Sequence, residues 1–176
     1  MPRRYILTGA PGAGKTTLIR LLESRGEEVV HEAATDVIAL AQASGIDRPW
    51  ERPDFITDIA ALQAFREATP MRSARRFSDR SVFCTLALAE WLDRPIPQDV
   101  RDGAEKLAAS GWFERRVYLV AQLDGIQHTE ARRISYEDAT RFGALHAATY
   151  RRFGFEPVLI GPGSIADRAE RILESS

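Results

Sequence analysis

Gly9-Ala10-Pro11-Gly12-Ala13-Gly14-Lys15-Thr16 places two glycines, a lysine and a hydroxyl at the spacing G-x-x-x-x-G-K-[ST], and that combination suits one chemical task, holding a chain of phosphates. Glycines allow backbone conformations that a Cβ forbids, so successive amide N–H groups can converge on one anion while a helix N-terminus behind them adds positive potential. Lys15 would reach the β- and γ-phosphates, and the Thr16 hydroxyl would take Mg²⁺, which bridges those phosphates and neutralises developing charge. Thr17 either adds a phosphate contact or packs the first helical turn. Multiplying this chain's own Gly, Lys and Ser/Thr frequencies over its windows gives about one chance match per thousand such sequences. The expected ligand is a nucleoside triphosphate, ATP with Mg²⁺, seated on Gly9 through Thr17.

Further charged residues could act on that triphosphate. Asp79-Arg80 follows a candidate strand, where an acidic residue could hold the Mg²⁺ shell and an arginine could face a transferring phosphoryl group; the alternative is an ordinary surface pair. Glu32 lies just after another strand, and could orient or deprotonate an acceptor hydroxyl or merely favour a helix dipole. Whether Glu32 or Asp79 is the acceptor base stays open at this point. Arg132-Arg133 sits in a polar segment before a long helix, where a lid could bring guanidinium groups over the phosphates, or where the pair is simply solvated.

The elements that would position these groups alternate along the chain. Tyr5–Thr8 reads as a strand and Thr16 onward as a helix closed by Gly26; Glu28–His31 reads as a second strand entering Glu32-Ala33-Ala34. Thr35–Ser44 and a helix opened by Pro53 precede Arg75–Ser78, a third strand with one apolar residue. Val82–Leu92 and Asp99–Ala109 are helical, Arg116–Val120 and Pro157–Ile160 are strands, and a long helix from a cap at Ser135 to a stop at Gly154 lies between them. A last helix opens at Ser164 with Asp167 completing a capping box. Alternation of this kind predicts an α/β fold, a parallel sheet covered on both faces.

The 176 residues suit one domain. Net charge is −1 with both signs interspersed, which argues against nucleic acid as partner. No apolar run reaches the ~18 residues of a membrane span, Cys84 is the lone cysteine, and no leader is visible at Met1, so a cytoplasmic protein is expected. Arginine supplies 22 of the 24 basic residues, so a lysine at position 15 stands out. His128, His146 and Cys84 lack zinc-type spacing, and His146 reads as a packed or hydrogen-bonded imidazole. Trp91 and Trp112 read as core, Trp50 as a candidate for stacking on a ring, and Gly161-Pro162-Gly163 as a turn or an adenine border.

Competing uses of a triphosphate leave marks that are absent here. The guanine-reading Asn-Lys-x-Asp is replaced by Ala121-Gln122-Leu123-Asp124, and Asp79 is followed by Arg80 where oligomeric ATPases carry a water-activating glutamate. Gly9–Thr17, Glu32-Ala33-Ala34, Phe77-Ser78-Asp79-Arg80-Ser81 and Arg132-Arg133-Ile134-Ser135-Tyr136-Glu137 together resemble the small AAA-type P-loop ATPase/kinase family, related to nicotinamide-riboside kinase domains and similar to nucleoside and nucleotide kinases. The resemblance implies a three-layer sandwich with a five-stranded parallel sheet of the nucleotide-kinase kind, an acceptor segment at about 33–72 and a lid at about 122–135 within one domain, 1–176. The expected activity is ATP-dependent transfer of phosphate to an unidentified small molecule, with Lys15, Arg80 and Arg132 or Arg133 on the phosphoryl group, Thr16 and Asp79 on Mg²⁺, and Glu32 at the acceptor. Alternatives are an ATPase or nucleotide-dependent switch acting on a protein partner, and a protein that binds nucleotide without turnover. A homodimer is compatible with each.

Overall fold

The computed structural model describes residues 2–121 and 136–176, with nothing said of the Tyr136 side chain. Five strands, β1 (Arg3–Thr8), β2 (Glu28–Val30), β3 (Arg75–Asp79), β4 (Arg116–Val120) and β5 (Glu156–Ile160), form one sheet in the order β2-β3-β1-β4-β5. Every neighbouring pair is parallel. The helices are α1 (Lys15–Ser24), α2 (Ala34–Ala43), α3 (Phe55–Glu67), α4 (Val82–Trp91), α5 (Gln98–Ala109), α6 (Tyr136–Arg152) and α7 (Ile165–Glu174). Strand alternation sorts the central strand's side chains between two layers. Tyr5 and Leu7 face Leu18, Ile19 and Leu22 of α1 and Ala169 and Ile172 of α7, while Ile6 joins Phe83, Cys84, Val100, Ala104 and Tyr150 on the other side. A smaller cluster of Ala33, Phe55, Ile56, Ile59 and Ala89 binds α3 and α4 over the carboxyl edge.

The order of the strands reverses about β1, whose neighbours are β3 and β4, and the carboxyl ends beside such a switch point form the crevice in which α/β proteins bind ligands. Residues 9–14 leave the sheet at that place.

The third strand, least apolar by composition, runs through Asp79 and is paired on both sides. Its two arginines are neutralised from beside β2: Arg75 donates to both carboxylate oxygens of Glu27 at 2.9 and 2.6 Å, and Arg76, fully buried, pairs with Glu28 and donates to the Glu67 carbonyl at 3.3 Å. Only Phe77 then has to supply hydrophobic burial. Trp112 is corrected from core to surface: it is 36% exposed and lies under the Arg4 guanidinium at 3.9 Å, a contact that uses the ring face. Trp50 packs beside the α3–α4 cluster while its carbonyl accepts from Arg94 at 3.2 Å.

Burial alone would raise the Glu28 pKa, but the Arg76 guanidinium, the Arg72 amide and Ser73 outweigh it and hold the carboxyl down at about 2. The pair's stabilisation is therefore complete above the unfolded value near ~4.5 and is lost as pH falls towards about 2. E28Q should lower unfolding stability at neutral pH by about 3 kcal/mol, since it strands a buried guanidinium. In chemical denaturation the gap between wild type and E28Q should close on acidification; a gap unchanged by pH would contradict this account.

Candidate nucleotide-binding site

The loop after β1 keeps its shape through close approaches that only certain residues allow. Gly9 has φ +135°, and a Cβ there would lie 2.4 Å from the Val120 carbonyl oxygen, so the loop rests directly on the end of β4. Gly14 turns the chain into α1 with φ +84°, and α1 begins with no side-chain cap and no acidic residue in its first turn. The first amide groups of a helix lack intrahelical acceptors, so this end presents N–H groups and positive potential. Lys15 is the first residue of α1; its buried Nζ donates to the Gly9 and Ala10 carbonyls at 3.1 and 2.8 Å. Thr16 and Thr17 are exposed beside it. Pro11, Gly12, Gly14, Lys15, Thr16 and Thr17 line one wall of a cavity of about 460 Å³, so Thr17 faces that space and does not pack into the helix.

Two supports of the loop were not singled out from the sequence. Arg168 of α7 is fully buried and bridges Ala13 to the end of β4, donating to the Ala13 carbonyl at 3.0 Å and to the Ala121 carbonyl. Gly143 of α6 lies against Ala10, where an added Cβ would be 3.5 Å from the Ala10 Cβ. Arg168 is hidden among 22 arginines, although the Ser164–Asp167 capping box that sets the start of α7 is present as read. A glycine inside a helical pattern is the one signal that could have drawn attention to position 143.

The charged residues converge as the topology requires. Asp79 ends β3 and is buried, and its Oδ1 has no hydrogen-bond partner. Burial, and next the charge of Glu32, raise its pKa above the ordinary carboxylate value. Arg80 follows in a left-handed conformation, φ +71°, with its amide donating to the Leu7 carbonyl at 2.9 Å. That turn sends the guanidinium across the cavity, where Nε pairs with Glu32 Oε1 at 2.6 Å and NH1 meets His146 Nε2 at 3.0 Å. Glu32 also accepts from the Thr35 hydroxyl at 3.0 Å. Burial opposes its ionisation, yet the Arg80 and Lys15 charges prevail and its pKa stays below the ordinary value. The pKa of the Lys15 ammonium is lowered to about 7 by burial and next by the Arg80 charge, which disfavour its charged form. Arg132 and Arg133 lie outside the described residues.

Thr16, Glu32 and Thr35 line both this cavity and a second, of about 670 Å³, that reaches Asp79. A buried carboxylate oxygen without a donor and a free hydroxyl on the same wall are hard-oxygen ligands of the kind Mg²⁺ takes. Among the described residues no three His, Cys, Asp or Glu side chains gather as a metal-binding group, so a cation here would complete its shell with phosphate oxygens and water, as Mg²⁺ commonly does. The residues fit a triphosphate with Mg²⁺. Beyond the loop, the first cavity continues between Ala33, Ile38, Ile59, Leu88 and Phe142, with Gln63, Ser81 and Thr85 as its polar groups.

Comparison with known proteins agrees with this geometry. A family profile described as an AAA domain matches residues 4–168, and the chain belongs to that family. No curated protein sequence matches it. Among solved structures, the NadR protein in complex with NR superposes with a TM-score of 0.66 at 19% identity over 98% of this chain and 51% of that one. The chain thus spans about half the length of the NadR structures it matches. Deoxyadenosine kinase from M. mycoides gives 0.65 at 12% identity, covering 98% of this chain and 97% of that one. Shikimate kinase from Acinetobacter baumannii gives 0.55 at 17%, covering 99% and 92%. The fold is that of the P-loop kinases. No helix among the described residues is long and apolar enough to cross a membrane.

An ammonium that titrates at about 7 is largely neutral near pH ~8, and a triphosphate beside it would restore the charge. Calorimetric titration with Mg²⁺ and a nonhydrolysable ATP analogue, in buffers of differing ionisation heat, should show uptake approaching one proton near pH ~8 and almost none near pH ~6. Heats that do not depend on the buffer near pH ~8 would contradict it.

Proposed function

We propose that the protein is an ATP-dependent phosphotransferase whose acceptor is an uncharged, hydroxyl-bearing small molecule of nucleoside-like size. The observation that carries this reading is the pairing of Glu32 with Arg80 at 2.6 Å inside a cavity with the phosphate loop at one end and apolar side chains at the other. Hydrolysis needs room for water only. A cavity walled by Ile38, Ile59, Leu88 and Phe142 is suited to an organic acceptor.

Charge narrows the acceptor further. Among the described residues lining the cavity, the cationic side chains are Lys15 and Arg80, and Arg80 is already engaged by Glu32. An anionic acceptor would meet the Glu32 carboxylate with little to offset it. A hydroxyl donor would find an acceptor there.

In the proposed reaction Glu32 accepts the hydroxyl proton as the acceptor oxygen bonds to the γ-phosphorus and the bond to the β-bridging oxygen breaks, leaving ADP. Lys15 and Arg80, with Arg132 or Arg133, hold the transferring oxygens; Gly9, Ala10, Pro11, Gly12, Ala13, Gly14 and Thr17 complete the cradle; Thr16 and Asp79 would hold Mg²⁺, whose charge would offset that of the phosphates. Catalysis of this kind is mainly positioning and electrostatics, because the transition state is loose and asks for little covalent help. Residues 33–72 serve as the acceptor segment and 122–135 as the lid of one nucleotide-binding domain. A cytoplasmic setting fits the use of ATP and the free, buried Cys84 thiol.

Transfer from labelled ATP with Mg²⁺ to a panel of nucleosides, sugars and their phosphorylated or carboxylated counterparts tests the reading. Neutral acceptors should be turned over in preference to anionic ones. E32Q should lower kcat about a hundredfold or more while nucleotide affinity holds, and K15A should abolish transfer with the fold intact. Steady hydrolysis indifferent to every acceptor would replace the kinase by an ATPase or nucleotide-dependent switch with a protein partner.

A further inference from the structure

His146 is fully buried on α6 and belongs to no role assigned so far. Its Nδ1 lies 2.8 Å from the Phe142 carbonyl oxygen one turn earlier, and its Nε2 lies 3.0 Å from Arg80 NH1. A carbonyl oxygen only accepts and a guanidinium only donates, so Nδ1 must carry the hydrogen and Nε2 the lone pair. The imidazole is therefore neutral and in one tautomer; a second proton would set two donors against each other. Burial and next the Arg80 charge act in the same sense and lower its pKa to about 3. The ring has little freedom to turn, because Phe142 packs on it at 4.3 Å between centroids and Trp91 packs on Phe142 at 5.1 Å.

Arg80 needs such a partner. Its backbone is held in the left-handed region, and Glu32 pairs with Nε, on one side of the fork. A guanidinium held at one corner can still swing about that corner. Contact at NH1 removes the swing, and it comes from a group that adds no charge to compete with the one Arg80 carries. The same helix places Gly143 against Ala10 of the phosphate loop, so α6 holds the loop and the arginine in one frame.

We propose that His146 is a positioning residue, a neutral imidazole acceptor on α6 that fixes the Arg80 guanidinium in the orientation in which it meets the transferring phosphoryl group. The inference rests on the phosphotransferase reading, and its test separates the two. H146L should lower kcat about ten- to a hundredfold, leave the affinity for MgADP within about threefold, and weaken capture of MgADP with fluoroaluminate, a mimic of the transferring phosphoryl, by a factor similar to the loss in kcat. H146Q, which keeps an acceptor, should recover most of both losses. In R80M the further change H146L should cost nothing more, because the group being positioned is already gone. The ¹⁵N spectrum of histidine-labelled protein should show one side chain as the Nδ1–H tautomer in wild type.

Full kcat and unchanged fluoroaluminate capture in H146L, losses in R80M and H146L that multiply, or an Nε2–H tautomer would each overturn the inference while leaving the phosphotransferase reading in place. Wild-type protein that captures MgADP with fluoroaluminate through His146 but phosphorylates no acceptor would overturn that reading alone. Should H146L fold poorly, H146Q and the tautomer measurement decide.

Discussion

A loop built to surround an anion with backbone N–H groups cannot hold itself open, because it has no core of its own and its glycines favour no single shape. Here the constraint is met from outside. Val120 lies beneath Gly9, Gly143 of α6 lies against Ala10, and Arg168 of α7 ties the Ala13 carbonyl to Ala121. These supports come from the distant end of β4 and from the last two helices. The cradle near the amino terminus thus depends on chain that follows it by more than a hundred residues, and its geometry is completed only when the whole sheet has formed.

Electrostatic order in the cavity follows from the same convergence. Lys15, Glu32, the adjacent Asp79 and Arg80, and His146 come from four places in the chain and meet where solvent is largely excluded. Burial pushes each towards neutrality, and pairing decides which yields. Glu32 and Arg80 face each other and keep their charges, whereas Lys15, bonded to neutral carbonyls, is shifted to about 7, and Asp79, with an oxygen lacking a donor, is shifted upward. Lys15 and Asp79, the lysine and carboxylate whose charged forms are disfavoured here, are groups that a magnesium triphosphate would supply with opposite charge. The loop and the end of β3 are thus stressed in the direction that ligand binding relieves.

Much of this was legible in residue order. The strand–glycine loop–helix signature, the alternation of strands with α-helices among the described residues and the capping box at Ser164 follow local rules of periodicity, capping and turn chemistry. The β3 strand was hard to read because its arginines are neutralised by glutamates 48 residues away in the chain, a compensation no local window displays. Trp112 was misread for the opposite reason. A large aromatic beside apolar residues suggests burial, but Arg4, more than a hundred residues earlier, covers one face of its ring and the residue stays 36% exposed.

By itself the sequence determined the glycine loop's local chemistry, the class of fold and the residue types available to the site, since glycine conformation, helix starts and strand periodicity depend on near neighbours. Tertiary structure decided which charges pair, that Arg80 reaches Glu32 and His146, and that an apolar chamber adjoins the cradle. Those outcomes depend on distances between strand ends and helix faces far apart in the chain, and such distances exist only once the sheet order and the packing of α6 and α7 upon it are set.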